Sequence, residues 1–312
     1  MIRKLKLDSL RSEINETVAL IEESEKYGDS LGVAQLEIKL KELEDKLSDI
    51  IKEDNPFANI AFFFGGKPVF GSKGINARFS ASFLYHFQDL FAKVFSIVNE
   101  ENLGQRGPIP NIDKSNLMVT EVTRGSFGFI LEELSDQKQI FNTKSKEILE
   151  RAIKIIQSTI SENETDFEEI LNEIDERTLI SLRKIFDDLY KNDAVVRIVE
   201  DEKDFTIDEI SIKRGKQRSE QTSIEEEPEL LPGIIVGFLP HHKKFELLLE
   251  SGEQIYGSVI NEAIEKYNNL ITSGKEVMNN KWNISILTRI IKPLNRPEKK
   301  VYNLIDFFEI ND

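Results

Sequence analysis

The sequence predicts an α+β protein of three successive parts: an N-terminal helical hairpin, a central small antiparallel sheet packed with helices, and a C-terminal five-stranded barrel. Three observations carry this expectation. Leu36, Leu40, Leu43, Leu47 and Ile50 recur at spacings of four and three, as a heptad seam does. Leu117 to Glu133 alternates apolar and polar residues on either side of Gly125-Ser126, which reads as a β-hairpin. Beyond Glu229, three strand-like runs, a helix and two further strand-like runs follow in order.

In the first part, Leu10, Ile14, Val18 and Ile21 form one helical stripe, Tyr27-Gly28-Asp29-Ser30 breaks it, and the heptad seam resumes it, so residues 1–54 are expected to fold back as an antiparallel hairpin. Asp54-Asn55-Pro56 ends the second helix. The off-seam Ile38 and Ile51 point to a further contact, with the body or with another copy of the chain.

Residues 57–213 are expected to form the central domain. Asn59 to Phe64 is a short strand bounded by Gly65-Gly66, with Pro68 to Phe70 as a candidate return strand. Ser80 to Asn99 carries Phe83, Phe87, Leu90, Phe91, Val94, Phe95 and Val98 on one broad face, a helix suited to lie on a sheet. In the hairpin, Gly125 suits a turn that needs φ > 0, and Gly128 marks a bulge or a close backbone approach. Three amphipathic helical stretches follow from Lys144 to Lys191, then a strand at Ala194 to Val199. Residues 214–228 are polar, charged and without periodicity, and read as an acidic linker.

Residues 229–312 hold strands expected at Gly233 to Leu239, Lys244 to Leu249, Gln254 to Val259, Trp282 to Ile291 and Lys300 to Phe308, with a helix at Asn261 to Ile271. Three strands, a helix and two strands is the order of an OB-like barrel, and Gly257 could supply the bend that closure needs.

The chain carries a formal net charge of −15, nearly all of it before Glu229, which opposes non-specific attraction to phosphate backbones over the larger part. It has no cysteine, hence no disulfide, no thiolate metal site and no cysteine nucleophile, as expected of a cytoplasmic protein. No apolar run is long enough for a membrane span, and the basic N-terminus lacks the apolar segment of a secretory signal.

Motifs that could carry chemistry fail on context. Gly66 to Lys73 has the glycine spacing of a phosphate loop, but Ser72 precedes Lys73 and Pro68 interrupts it. Gly125-Ser126 lacks the spacing of a nucleophile elbow, and only His86, His241 and His242 exist as bases. His86 reads as a partly buried core residue. No catalytic, cofactor or metal set emerges. Candidate interaction residues are Arg124 and Ser126 at the central turn and Lys243 and Lys244 in the barrel, where basic residues beside aromatics could meet a single strand of nucleic acid.

The strand with paired glycines, the Phe-rich helix, the Arg-Gly-Ser-Phe-Gly-Phe hairpin and the C-terminal barrel together resemble uncharacterised bacterial proteins found beside phage-defence or mobile-element genes, over roughly residues 57 to 310. The resemblance implies a bacterial origin and an accessory role in antiviral defence. The expectation is therefore a non-enzymatic macromolecule-binding subunit, a sensor or adaptor, whose partner is another protein subunit or a second copy of itself. A nucleic-acid-binding protein acting through the barrel is the alternative, and a cryptic metal-dependent nuclease is the third reading.

Overall fold

A computed structural model describes residues 2–52, 55–99, 106–110, 112–123, 127–135, 139, 141–293 and 296–310. The helices are α1 (Arg3–Tyr27), α2 (Ser30–Lys52), α3 (Ala77–Val98), α4 (Lys144–Ile160), α5 (Glu164–Leu171), α6 (Glu176–Lys191), α7 (Glu209–Glu220) and α8 (Asn261–Thr272). The strands are β1 (Asn59–Gly66), β2 (Val69–Phe70), β3 (Gly74–Ile75), β4 (Met118–Thr123), β5 (Gly128–Glu132), β6 (Ala194–Glu200), β7 (Lys203–Ile207), β8 (Thr222–Leu239), β9 (Lys244–Leu249), β10 (Gln254–Val259), β11 (Lys281–Pro293) and β12 (Lys299–Glu309). Among the described residues, no helix is long and apolar enough to cross a membrane. The chain divides into two compact units, Met1–Phe91 with Ile112–Lys154 and Ile185–Lys213, and Ala92–Asn111 with Ile155–Lys184 and Arg214–Asp312. Neither follows the expected boundaries at 57–213 and 229–312, because each gathers segments distant in sequence.

The first unit is built on an antiparallel sheet of order β4-β5-β1-β6-β7. Alternation along β1 sends Phe62 and Phe64 to one face, where they meet the α3 rings of Phe83 and Phe87 edge-on at 5.2 and 4.6 Å from Phe62, and Phe79 at 5.4 Å from Phe64. The opposite face holds Ala61, Ile130 and Val199, covered by Ile2 and Leu5. Ile2 is 1% exposed in this cluster, so the start of the hairpin belongs to the core of this unit. The heptad pattern that marks residues 1–54 as a hairpin describes the α1–α2 seam and is silent on what the first turn covers.

Gly128 is a close-approach glycine, since a Cβ there would stand 2.6 Å from the Phe62 carbonyl oxygen; the bulge lies instead on β4, between Val119 and Glu121. The return at Pro68 to Phe70 does not pair with β1. β2 pairs with β3 instead, and α3 begins after Asn76, whose side chain accepts from the Phe79 amide. The phosphate-loop look-alike is therefore this small hairpin, with Lys67 paired to Asp193.

In the second unit, β10-β12-β11-β8-β9 form a closed barrel, with β9 pairing back to β10. All ladders are antiparallel except β10 with β12, which run parallel from Gly257–Tyr302 to Val259–Leu304. The barrel is filled by Phe238, Phe245, Leu247, Ile255, Trp282, Ile284, Ile286, Leu304 and Phe307. α8 adds Tyr267, stacked on Phe238 at 4.2 Å.

The acidic linker is not observed. Residues 209–220 are helical and 222–239 form one strand. Arg214 and Arg218 donate to the carbonyls of Thr159, Ile160 and Ser161 at the C-terminal end of α4, where cations are favoured. Glu226 meets Arg289 at 2.7 Å and Glu225 meets Lys292 at 2.5 Å across the β8–β11 ladder. Charges without periodicity looked solvated in sequence because their partners come from β11.

Candidate interaction surface

β4 is an edge strand, with β5 as its one strand neighbour among the described residues. Val119 opposes the buried Leu131 and Val122 the half-buried Phe129, on the face that carries Phe62. Yet Met118, Val119 and Val122 are 52%, 48% and 50% exposed. An edge strand with β-branched apolar side chains and an outward row of backbone donors and acceptors is a template for an added strand. The bulge at β4 and the Thr120 hydroxyl, which donates to Glu132 at 2.6 Å, twist and polarise one stretch of that edge.

Arg124 and Ser126 lie outside the described residues, although the two strands that flank them stand as expected. Lys243 takes a left-handed conformation, φ 48°, at the turn between β8 and β9, and Lys244 opens β9; both are exposed. On the outward barrel face Lys244 stands beside Ser258, and Ser258 beside Asn303. The next row pairs Tyr256, 76% exposed, with Glu246. The face thus offers one aromatic platform and one flanking cation, with a carboxylate directly across from the ring. Phe238, Phe245, Trp282 and Phe307 are spent in the barrel interior.

The remaining polar constellations hold the fold. Asp188 of α6 accepts from the Ser82 hydroxyl at 2.8 Å and lies 2.7 Å from His86 Nδ1, which ties α6 to α3. The serine bonds to the carboxylate and not to the imidazole, so the three do not form a serine–histidine–carboxylate relay. Lys146, 4% exposed, donates to the Asn55 carbonyl at 2.7 Å and pairs with Asp201 at 3.7 Å. Glu200 is buried, 3.3 Å from Lys203, and burial raises its carboxyl above the ordinary glutamate range while Lys203 pulls it down. Among the described residues, no group of three His, Asp or Glu side chains could hold a metal ion.

The sequence marks the turn of the central hairpin as a candidate interaction site and gives no sign that the expected strand before it would be one. The bulge breaks the period of two in Met118-Val-Thr-Glu-Val-Thr, so the strand's exposed character has no local signature. Compared with protein-family models, with curated proteins and with solved structures, the chain gives no match to any of them.

Proposed function

We propose that this chain is a non-enzymatic, macromolecule-binding subunit that takes up an extended segment of a partner protein along β4. The observation that carries the reading is the half-exposure of Met118, Val119 and Val122 on an edge strand whose neighbour β5 has no exposed residue. Strand addition there would pair the outward backbone groups of β4 and cover its two valines. The setting, a sensor or adaptor of bacterial antiviral defence in the cytoplasm, rests on the resemblance described above and on the absence of cysteine. The barrel we read as OB-like: three strands, a helix and two strands, closed through a parallel pair of its third and fifth strands.

Exposed Tyr256 near Lys244 favours a second reading, in which that face stacks single-stranded nucleic acid. Glu246 opposite the ring and the acidic net charge weigh against it. The nuclease reading finds no supporting carboxylate set among the described residues.

The test is affinity capture from the native host with three forms of the full chain: wild type, Val119→Lys with Val122→Lys, and Lys243→Glu with Lys244→Glu. Exposed substitutions of this kind shift stability by about 0.5 kcal/mol or less. A protein retained by wild type and by the barrel variant, but lost from the β4 variant, supports strand addition. A protein indifferent to the β4 variant, or salt-sensitive binding of single strands lost with the two lysines, refutes it.

A further inference from the structure

α1 and α2 pack antiparallel, and their relative register is marked by an ion pair, Lys39 Nζ to Glu13 at 3.0 Å. In the heptads of the two helices, residues 13 and 39 occupy the same flank of the seam. One heptad toward the N-terminal end of α1, that flank is occupied by Lys6 on α1 and Lys46 on α2. Where the pattern would place a second ion pair, it sets two like charges, an arrangement that is unfavourable until an anion comes between them.

The space at this point is open. Lys6, Ser9, Leu10, Lys46, Asp49 and Ile50 line a groove of about 390 Å³. Leu10 and Ile50, half-buried seam residues, form its apolar floor. The ammonium groups of Lys6 and Lys46 form no ion pair or hydrogen bond with another described residue. Asp49 supplies one carboxylate to the groove, so the local charge is modestly positive in a chain of net −15.

We propose that this groove receives an acidic amphipathic helix of a partner protein, with a glutamate or aspartate between Lys6 and Lys46 and an apolar residue on Leu10 and Ile50. The docked helix would lie as a third member along the α1–α2 seam. A small anion, or a polyanion without apolar groups, would leave the apolar floor uncovered. A helix bearing both acid and leucine satisfies the cations and the floor together. This surface uses residues other than those of β4 and stands or falls separately from it.

The probe is a fluorescently labelled synthetic peptide about three heptads long, enough to form a helix on docking, with Leu at a and d and Glu at e and g. Its counterpart carries Lys in place of Glu. Titrated with the full chain at low salt, the acidic peptide should bind and the basic one should not. Lys6→Glu with Lys46→Glu should weaken binding about tenfold or more, whereas Lys41→Glu, on the outer side of α2, should leave it within about twofold. Helical circular dichroism checks each variant, and Lys6→Gln with Lys46→Gln replaces the double reversal if that form unfolds. Equal binding of both peptides, binding of neither, or identical behaviour of the Lys6/Lys46 and Lys41 variants overturns the proposal. Light scattering on the same samples adds one further outcome. A wild-type dimer that the Lys6/Lys46 variant dissolves would give the groove to a second copy and overturn the partner helix.

Discussion

Replacing Gly257 with Ala should open the barrel at the one place where it closes by a parallel ladder. Gly257 stands opposite Tyr302 in a pairing that covers only three residues of each strand, Gly257–Tyr302 to Val259–Leu304. A Cβ at position 257 would lie 1.9 Å from the Tyr302 carbonyl oxygen and 2.9 Å from the Phe245 ring. An unstrained carbon–oxygen contact is about 3.3 Å or more, so β12 must retreat by more than an ångström. Overpacking of this kind costs about 1–3 kcal/mol, and each ladder hydrogen bond lost adds about 1 kcal/mol. The expected loss is about 3 kcal/mol, within the range of core-disrupting substitutions.

The assay is direct because the chain has one tryptophan, Trp282, 3% exposed inside the barrel. Its fluorescence in a urea titration reports the barrel, and the midpoint should fall at unchanged slope. Gly252→Ala is the informative control. Its φ is +84° with nothing within 4 Å of a Cβ, so it should cost about 1 kcal/mol through backbone strain alone. A Gly257→Ala protein within about 0.5 kcal/mol of wild type would show that β10 and β12 do not approach as described, and the closure would have to be abandoned.

Glu200→Gln should stabilise the protein at neutral pH. Burial holds the Glu200 carboxyl above its ordinary range, with Glu150 and Asp201 adding to the rise and Lys203 opposing it. The folded state therefore keeps this proton to higher pH than the unfolded state, and stability falls as pH rises through the window above the ordinary glutamate value. The advantage of the variant over wild type should shrink to nothing as pH falls through about 4; a variant less stable at pH 7 would show that the Lys203 pair outweighs the desolvation. Asp188→Ala should cost about 1–3 kcal/mol, because Ser82 and His86 both lose their acceptor at the α3–α6 contact. A thermal midpoint equal to wild type would mean that water replaces the carboxylate.

Where a structural decision is made within a few residues, the sequence was readable. Four of the barrel strands and α8 fall close to their expected places because alternation and punctuating turns are local signals, whereas β8 begins at Thr222 and not at Gly233; Gly257, expected as a bend, is a close-approach glycine at the closure. Residues 214–228 were misread for the opposite reason. Their run of glutamates looks like a solvated chain until β11 arrives, with Arg289 and Lys292 separated from Glu226 and Glu225 by 63 and 67 residues. Composition counts charges but does not know whether a counter-charge will stand across a ladder. Ile2 lies outside the helical stripe that begins at Leu10, and it is the sheet beneath it that makes it core.

The candidate sites were less legible, and for a reason that more careful pattern reading would not remove. An edge strand is defined by the neighbour it lacks, which is a property of the completed sheet. Met118 to Thr123 would read identically in the middle of the order β4-β5-β1-β6-β7, with Val119 and Val122 buried on both sides. The groove at Lys6 and Lys46 differs in kind. Heptad letters can be assigned from sequence, but the like-charged pair becomes visible only when the Glu13–Lys39 contact states which residue of α2 stands opposite which residue of α1. A seam that fixes its register with one ion pair and then repeats a lysine on both helices one heptad later sets two cations at one groove, and it is this pair that the proposed acidic helix would answer.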